Sequence, residues 1–181
     1  MNKAIQHFNT INKHRWKVFI WCCKMGIPLR GILHDLSKYS WTEFSIYKWY
    51  SGNKSPHDNC REELGFSPSW IHHKTRNKHH WEYWLDNEKK EFIPVKIPYK
   101  YVVEMFCDFV GAGQTYMKEK WSCTSPFEYH LNCKNNRLFH PESLELLELL
   151  LIKLAELNIK DFHKWYKKNK EELKTNYAKK K

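Results

Sequence analysis

Glycine and proline are scarce in this chain, at 6 and 7 among 181 residues. A fold of many short strands needs more turn residues than that, so the scarcity favours long helices. No run of about 18 apolar residues occurs, and no transmembrane helix is expected. The first apolar run is broken by His14, Arg15 and Lys17, which is unlike a secretory leader and predicts a cytoplasmic protein. The six cysteines contain no C-x-x-C pair, so they read as free thiols in a reducing compartment. P-loop, dinucleotide-binding and nucleophile-elbow motifs are all missing.

Aromatic and basic residues, by contrast, are plentiful. There are 9 Trp, 10 Tyr and 10 Phe, and the formal net charge is +11. Residues 160–181 hold nine lysines against three acids. That concentration suits a solvated terminal helix, or a tail that binds nucleic acid. The length is that of one domain. We therefore divide the chain into a helical domain, 1–158, and a basic C-terminal helix and tail, 159–181.

The apolar pattern predicts a helix over 3–25, with Ile11, His14, Val18, Trp21 and Met25 on one face. Gly26 and Pro28 mark its end and the start of the next helix, which carries His34 and Asp35. A short helix is expected over 41–50, and a loop able to serve as a flap over a site is expected over 51–67. Residues 68–85 read as one helix whose Trp-bearing arc places His73 and His80 inward and His72 and His79 on another side. Residues 86–97 read as a linker, 98–120 as a helix carrying Glu104 and Asp108, and 121–140 as less regular. Pro141–Leu157 is a leucine-rich core helix, and 159–176 a basic terminal helix.

The chemistry centres on Gly31-Ile32-Leu33-His34-Asp35-Leu36-Ser37-Lys38. A buried imidazole beside a carboxylate is costly unless something binds both. A lone His-Asp pair is usually just a hydrogen bond. Here it joins an ordered set on faces expected to be buried: His14, His34-Asp35, His73, His80, and Asp108, an acid with no other acid between Met105 and Thr115. Imidazole and carboxylate donors suit Fe, Mn, Ni, Co or Zn, and Mg where oxygens dominate. An Asp able to bridge two ions, four imidazoles and a closing carboxylate have the composition of a dinuclear site. Cys123, His130, Cys133 and His140 are the ligand types of a structural zinc site, but their spacing fits no usual close pair.

A first His, an adjacent His-Asp, downstream histidines and a final Asp, all on helices, resemble the ordered signature of the HD-domain metal-dependent phosphohydrolase superfamily. Lys38 stands three residues after Asp35, as in one branch of it. The segments His34–Ser40, Asn77–Trp84 and Glu104–Asp108 also resemble a small phage and bacterial family related to it. The similarity runs over roughly residues 5–120 and leaves the last 60 or so unexplained.

That resemblance implies an all-α, single-domain bundle of about seven or eight helices around a metal site. It implies His14, His34, Asp35 and Asp108 as core ligands of a divalent metal, with His73 and His80 holding a second ion. Asp35 and Lys38 would do the chemistry, and Lys38 would meet a phosphate or the attacking water. The doubled pairs leave His72 and His79 open as alternative ligands, and Glu104 open as a residue that orients a histidine. Arg15, Arg30 and Arg76 are available to grip a phosphate.

The implied activity is hydrolysis of a phosphoester, with a nucleotide or nucleotide-derived signal as substrate, in a bacterial or phage-infected cell. The Gly-Tyr-Pro motif of the cyclic-dinucleotide branch is absent. Two rivals stand beside this reading: a di-iron oxygenase on the same fold, and a non-enzymatic protein that binds nucleic acid through the basic tail.

Overall fold

The computed structural model describes residues 2–52 and 54–179. Lys180 and Lys181, the last lysines of the basic tail, lie outside the described residues. The fold is all-α and forms one compact domain. The α-helices are α1 (Lys3–Lys24), α2 (Pro28–Leu33), α3 (Trp41–Phe44), α4 (Pro56–Leu64), α5 (Pro68–Lys74), α6 (Tyr99–Tyr116), α7 (Ser125–Cys133), α8 (Pro141–Glu156) and α9 (Ile159–Lys179). Short 3₁₀ turns join several of them. The one sheet among the described residues is an antiparallel hairpin, β1 (Leu85–Glu88) and β2 (Glu91–Pro94), within the segment expected to be a linker.

The helix signals in the sequence explain most of these boundaries. Asn2 caps α1 through the Ala4 amide, and Ser67 caps α5 through Trp70. Pro opens α2, α4, α5, α7 and α8 at the first turn, where its missing N–H costs nothing. The core is built from Val18, Trp21 and Cys22 of α1, Val103, Phe106 and Val110 of α6, and Leu147, Leu150, Leu151 and Leu154 of α8. Fully burying such a side chain contributes about 1.5–3 kcal/mol each.

Two expectations fail here. Residues 51–67 are not a plain loop, because Ser55, Pro56 and Gly65 (φ +78°) delimit α4. The span 68–85 is not one helix: α5 stops at Lys74, a turn follows, and Trp81–Trp84 is 3₁₀. Beyond this end the Asn77 side-chain Nδ2 donates to the His73 carbonyl at 2.9 Å, the carbonyl that also takes the Arg76 and Asn77 backbone N–H groups at 3.2 and 3.1 Å. Residue 159 does open a separate helix, α9, but that helix packs into the core. Phe162, Tyr166 and Tyr177 of α9 enter the same core, and the Tyr177 hydroxyl bonds Ser143 and the Ile97 carbonyl. The basic helix therefore has a solvated face and a buried one. Among the described residues no helix is long and apolar enough to cross a membrane.

One close approach positions everything that follows. Gly111 on α6 lies so near α1 that an added Cβ would stand 2.5 Å from Val18 Cγ2 and 3.2 Å from the Val18 backbone N. About one turn before each of these positions stand His14 on α1 and Asp108 on α6.

Candidate metal centre

His34 and Asp35 are not on a helix. On one, neighbouring side chains diverge by about 100°. Instead α2 ends at Leu33, His34 is extended (φ −55°, ψ 127°), and Asp35 is left-handed (φ 55°, ψ 26°). Asp tolerates that conformation better than most residues, and such strained positions gather at functional sites. Both side chains are buried, each 1 % exposed. Arg15 holds the turn: its Nε donates to the His34 carbonyl at 2.8 Å and its Nη2 to the Ile32 carbonyl at 2.9 Å. These would otherwise be orphan carbonyls at a helix end.

Around Asp35 the donors separate into two groups. Oδ2 lies 3.3 Å from His14 Nε2, 3.3 Å from His34 Nε2 and 3.2 Å from Lys38 Nζ. Asp108 Oδ1 closes that side, 3.2 Å from His14 Nε2 and 3.5 Å from His34 Nε2. Oδ1 faces the other way, 3.3 Å from His73 Nε2 and 3.4 Å from His79 Nε2. With His80 these form the second group. In each, one donor atom per residue lies within 4.8 Å of all the others.

The donor set fits divalent cations. His14 and His34 present their Nε2 atoms to each other at 3.3 Å, an arrangement in which at most one proton can be shared. Asp35 Oδ1, His79 Nε2 and His80 Nε2 are buried with no hydrogen-bond partner. Buried polar atoms are seldom left so. The two clusters could each hold a metal ion, with Asp35 offering one oxygen to each.

Burial disfavours charge on Asp35, yet His34, Lys38 and His73 hold its carboxyl well below the usual range. Asp108 is likewise pushed up by burial, but hydrogen bonds from His14 and His34 lower it well below normal. Burial lowers His73 and His80, toward the neutral imidazole a metal requires, whereas Asp35, Asp108 and Glu104 raise His34 well above its ordinary value against its burial. Lys38 is raised despite burial, chiefly by Asp35, and stays charged.

Behind the donors lies an orienting layer. Glu104, fully buried, accepts from Arg30 Nε at 2.7 Å and Nη2 at 3.3 Å. Its Oε1 pairs with His34 Nδ1 at 3.2 Å and stands 3.3 Å from His79 Nδ1. Burial opposes its ionisation, but these partners lower it to about 2. His34, His79 and Glu104 together also have ligand types, but the Nδ1 atoms face Glu104 while the Nε2 atoms face the aspartates. Glu104 therefore orients. Glu43 does the same for His73, at 2.7 Å from its Nδ1, and its other oxygen takes His72 Nδ1 at 2.7 Å.

The structure thus brings together His14, His34, Asp35, Asp108, His73 and His80. It also corrects three readings. His79, placed on the outer side of a continuous helix, belongs to the cluster, because the chain is not helical there and adjacent histidines can both turn inward. His72 does not belong; it is tied to Glu43. Arg15, Arg30 and Arg76 do not line the site as phosphate grips. The first two are engaged as described, and Arg76 is exposed beside the His72 carbonyl. Glu43 drew no attention in the sequence. The proposed zinc set also dissolves: His130 bonds Glu148 at 3.0 Å, and His140 caps α8.

Above the centre opens a cavity of about 870 Å³, lined by Asp35, Lys38, His57, Asp108, Tyr116 and Arg137 among others. That is the size of a site for a small organic ligand.

A family model described as a family of unknown function, DUF5662, matches residues 3–153. The chain belongs to that family. The part shared with DUF5662 runs from α1 into α8 and contains every donor of both clusters, whereas α9 lies beyond it. No curated protein and no solved structure matches the chain.

Proposed function

We propose that this DUF5662 protein is a metal-dependent phosphohydrolase of the HD-domain type, acting on a phosphoester such as a nucleotide or nucleotide-derived signal. The observation that carries the reading is Asp35, whose two oxygens divide between two sets of buried donors while Lys38 stands 3.2 Å from one of them. His14, His34, Asp35 and Asp108 would hold one divalent ion, and Asp35, His73, His79 and His80 the second. Such ions supply Lewis acidity: they acidify water toward neutral pH and draw charge off a phosphoryl oxygen.

The remaining chemistry belongs to the chain. Lys38 Nζ, kept protonated by Asp35, meets a phosphoryl oxygen and offsets the negative charge that grows there as the ester bond breaks. Glu43 and Glu104 keep three imidazoles turned with Nε2 toward the centre. The cavity wall around Met105, Phe109 and Tyr116 packs the body of the substrate and limits water to the centre. We place the activity in the cytoplasm, in keeping with six free cysteines.

The test is phosphate release by metal-stripped protein reloaded with Mn, Ni, Co, Zn, Fe or Mg, over a panel of phosphoesters. Release is expected to depend on metal and to be lost in Asp35→Asn. It should not depend on dioxygen. If no metal gives release, or if the iron form consumes oxygen instead, hydrolysis is wrong and the oxygenase rival gains. Salt-sensitive binding of single-stranded nucleic acid that survives Asp35→Asn but not removal of the α9 lysine charges would favour the binding protein.

A further inference from the structure

Arg137 is the feature of the cavity that the centre leaves unused. It follows α7 and a 3₁₀ turn, in extended backbone (φ −124°, ψ 130°). Its guanidinium carbon lies 4.9 Å from the Phe109 ring centre and 5.3 Å from that of Tyr129. Those two rings meet edge to face at 5.6 Å. Phe109 is the residue after Asp108, so the guanidinium sits against the next side chain along from a donor of the centre. The stack fixes the planar fork while leaving its N–H groups free to bond in the plane.

Among the described residues the Nη1 end of that fork is not taken up by the protein. Arg137 Nη1 is buried and has no hydrogen-bond partner, and the side chain makes no ion pair among the described residues. Arg61, the other arginine lining the cavity, differs: it pairs with Asp58 at 2.8 Å. An unpaired, partly desolvated guanidinium is costly to keep unless a ligand completes it. Its natural complement is a planar or tetrahedral oxyanion, carboxylate or phosphate, held by two parallel N–H bonds. Glu82 lines the same cavity, also with an unpartnered buried oxygen, Oε2, and supplies an acceptor for a ligand hydroxyl or amine nearby.

The geometry points to Arg137 as an anchor for a second anionic group, phosphate or carboxylate, on the far end of the molecule whose phosphoryl group sits at Asp35 and Lys38. The substrate class is then a phosphoester with two separated anionic ends and an organic body between them. This rests on the metal-centre reading for the first anion only.

The test uses phosphonates, which are not hydrolysed. Calorimetry on metal-loaded full-length protein compares alkylphosphonates with alkane-α,ω-bisphosphonates of three to six carbons. Wild type is expected to bind the best bisphosphonate at least tenfold tighter than its one-headed counterpart. Arg137→Gln should erase that preference and leave affinity for the one-headed compound and bound metal unchanged; Arg137→Lys should restore part of it. Equal affinity of wild type for both classes, or a preference that survives Arg137→Gln, overturns the anchor and leaves the metal centre standing. No binding of any phosphonate overturns both. If inorganic phosphate alone binds in an Arg137-dependent way without competing with the alkylphosphonate, the group serves a separate anion, and the two-ended substrate is refuted.

Discussion

Replacing Gly111 by alanine tests whether the α1–α6 contact holds the centre together. The new Cβ would meet Val18 Cγ2 at 2.5 Å and the Val18 backbone N at 3.2 Å. A carbon pair relaxes near 3.5–4 Å, so the helices must part by about 1 Å or Val18 must leave its rotamer. Overpacking of this kind costs about 1–3 kcal/mol, and the backbone contact puts it at the upper end. Alanine returns about 1 kcal/mol because it favours the helix. The net loss is about 2 kcal/mol, or a fall in Tm of about 4–8 °C for a chain of this length. His14 and Asp108, one turn away, should separate with the helices, weakening metal binding at least tenfold. Val18→Ala removes the worst contact, so the double variant Gly111→Ala/Val18→Ala should be more stable than the sum of the single effects by about 1 kcal/mol. Differential scanning calorimetry and metal titration read both. If Gly111→Ala melts with wild type and keeps its metal affinity, the close approach is not what sets the centre.

Chelating the metal should lower Tm. A ligand present at 100 times its Kd stabilises by about 2.7 kcal/mol, hence about 5–11 °C here; an unchanged melt would argue that no ion binds the fold. Glu43→Ala should weaken metal binding about 10–100-fold with helicity intact, because His73 loses the partner on its Nδ1, whereas His72→Ala should leave the affinity within about twofold; equal effects would refute the distinction. His163 is half-buried against Trp21, ring centres 4.7 Å apart, and that partial burial with Lys24 nearby lowers its pKa to about 4. Its unfolded value is near 6.5, so the unfolded chain binds the proton first and stability falls as pH drops from about 6.5 to about 4. His163→Gln should flatten that part of the Tm–pH curve of chelated protein, and an unchanged slope would place the sensitivity elsewhere.

Long periodic helices were legible. The α1 face, the leucines of α8 and the apolar stripe of α6 follow from spacing alone, because a helix that buries one stripe must repeat it. α4 was missed for the opposite reason. Its Ser55, Pro56 and Gly65 are good boundary signals, but only Pro56 and Cys60 are buried, too few to make a period. α9 was read from its lysines as a solvated appendage. Its aromatic residues Phe162, Tyr166 and Tyr177 recur on one side, and those are what bind it to the core.

At the centre the hidden information was backbone shape. Residues 68–84 fit a helical wheel, yet the chain leaves the helix after Lys74, with the Asn77 side chain turned back on the His73 carbonyl. Once broken, His79 and His80 both face inward without the divergence of about 100° that a helix imposes. The same holds for His34 and Asp35. In this chain both dipeptides stand just outside a helix end. Glu43 was concealed differently. Ser40-Trp41-Thr42-Glu43 has the form of a capping box, and Ser40 does cap α3, but the carboxylate turns away to His72 and His73. A residue with an ordinary local explanation can serve a distant one at the same time. What separates the two is burial: at 3 % exposed, Glu43 is hidden where a first-turn acid would face water, and an acid hidden in that way must be paired with something the local sequence does not contain.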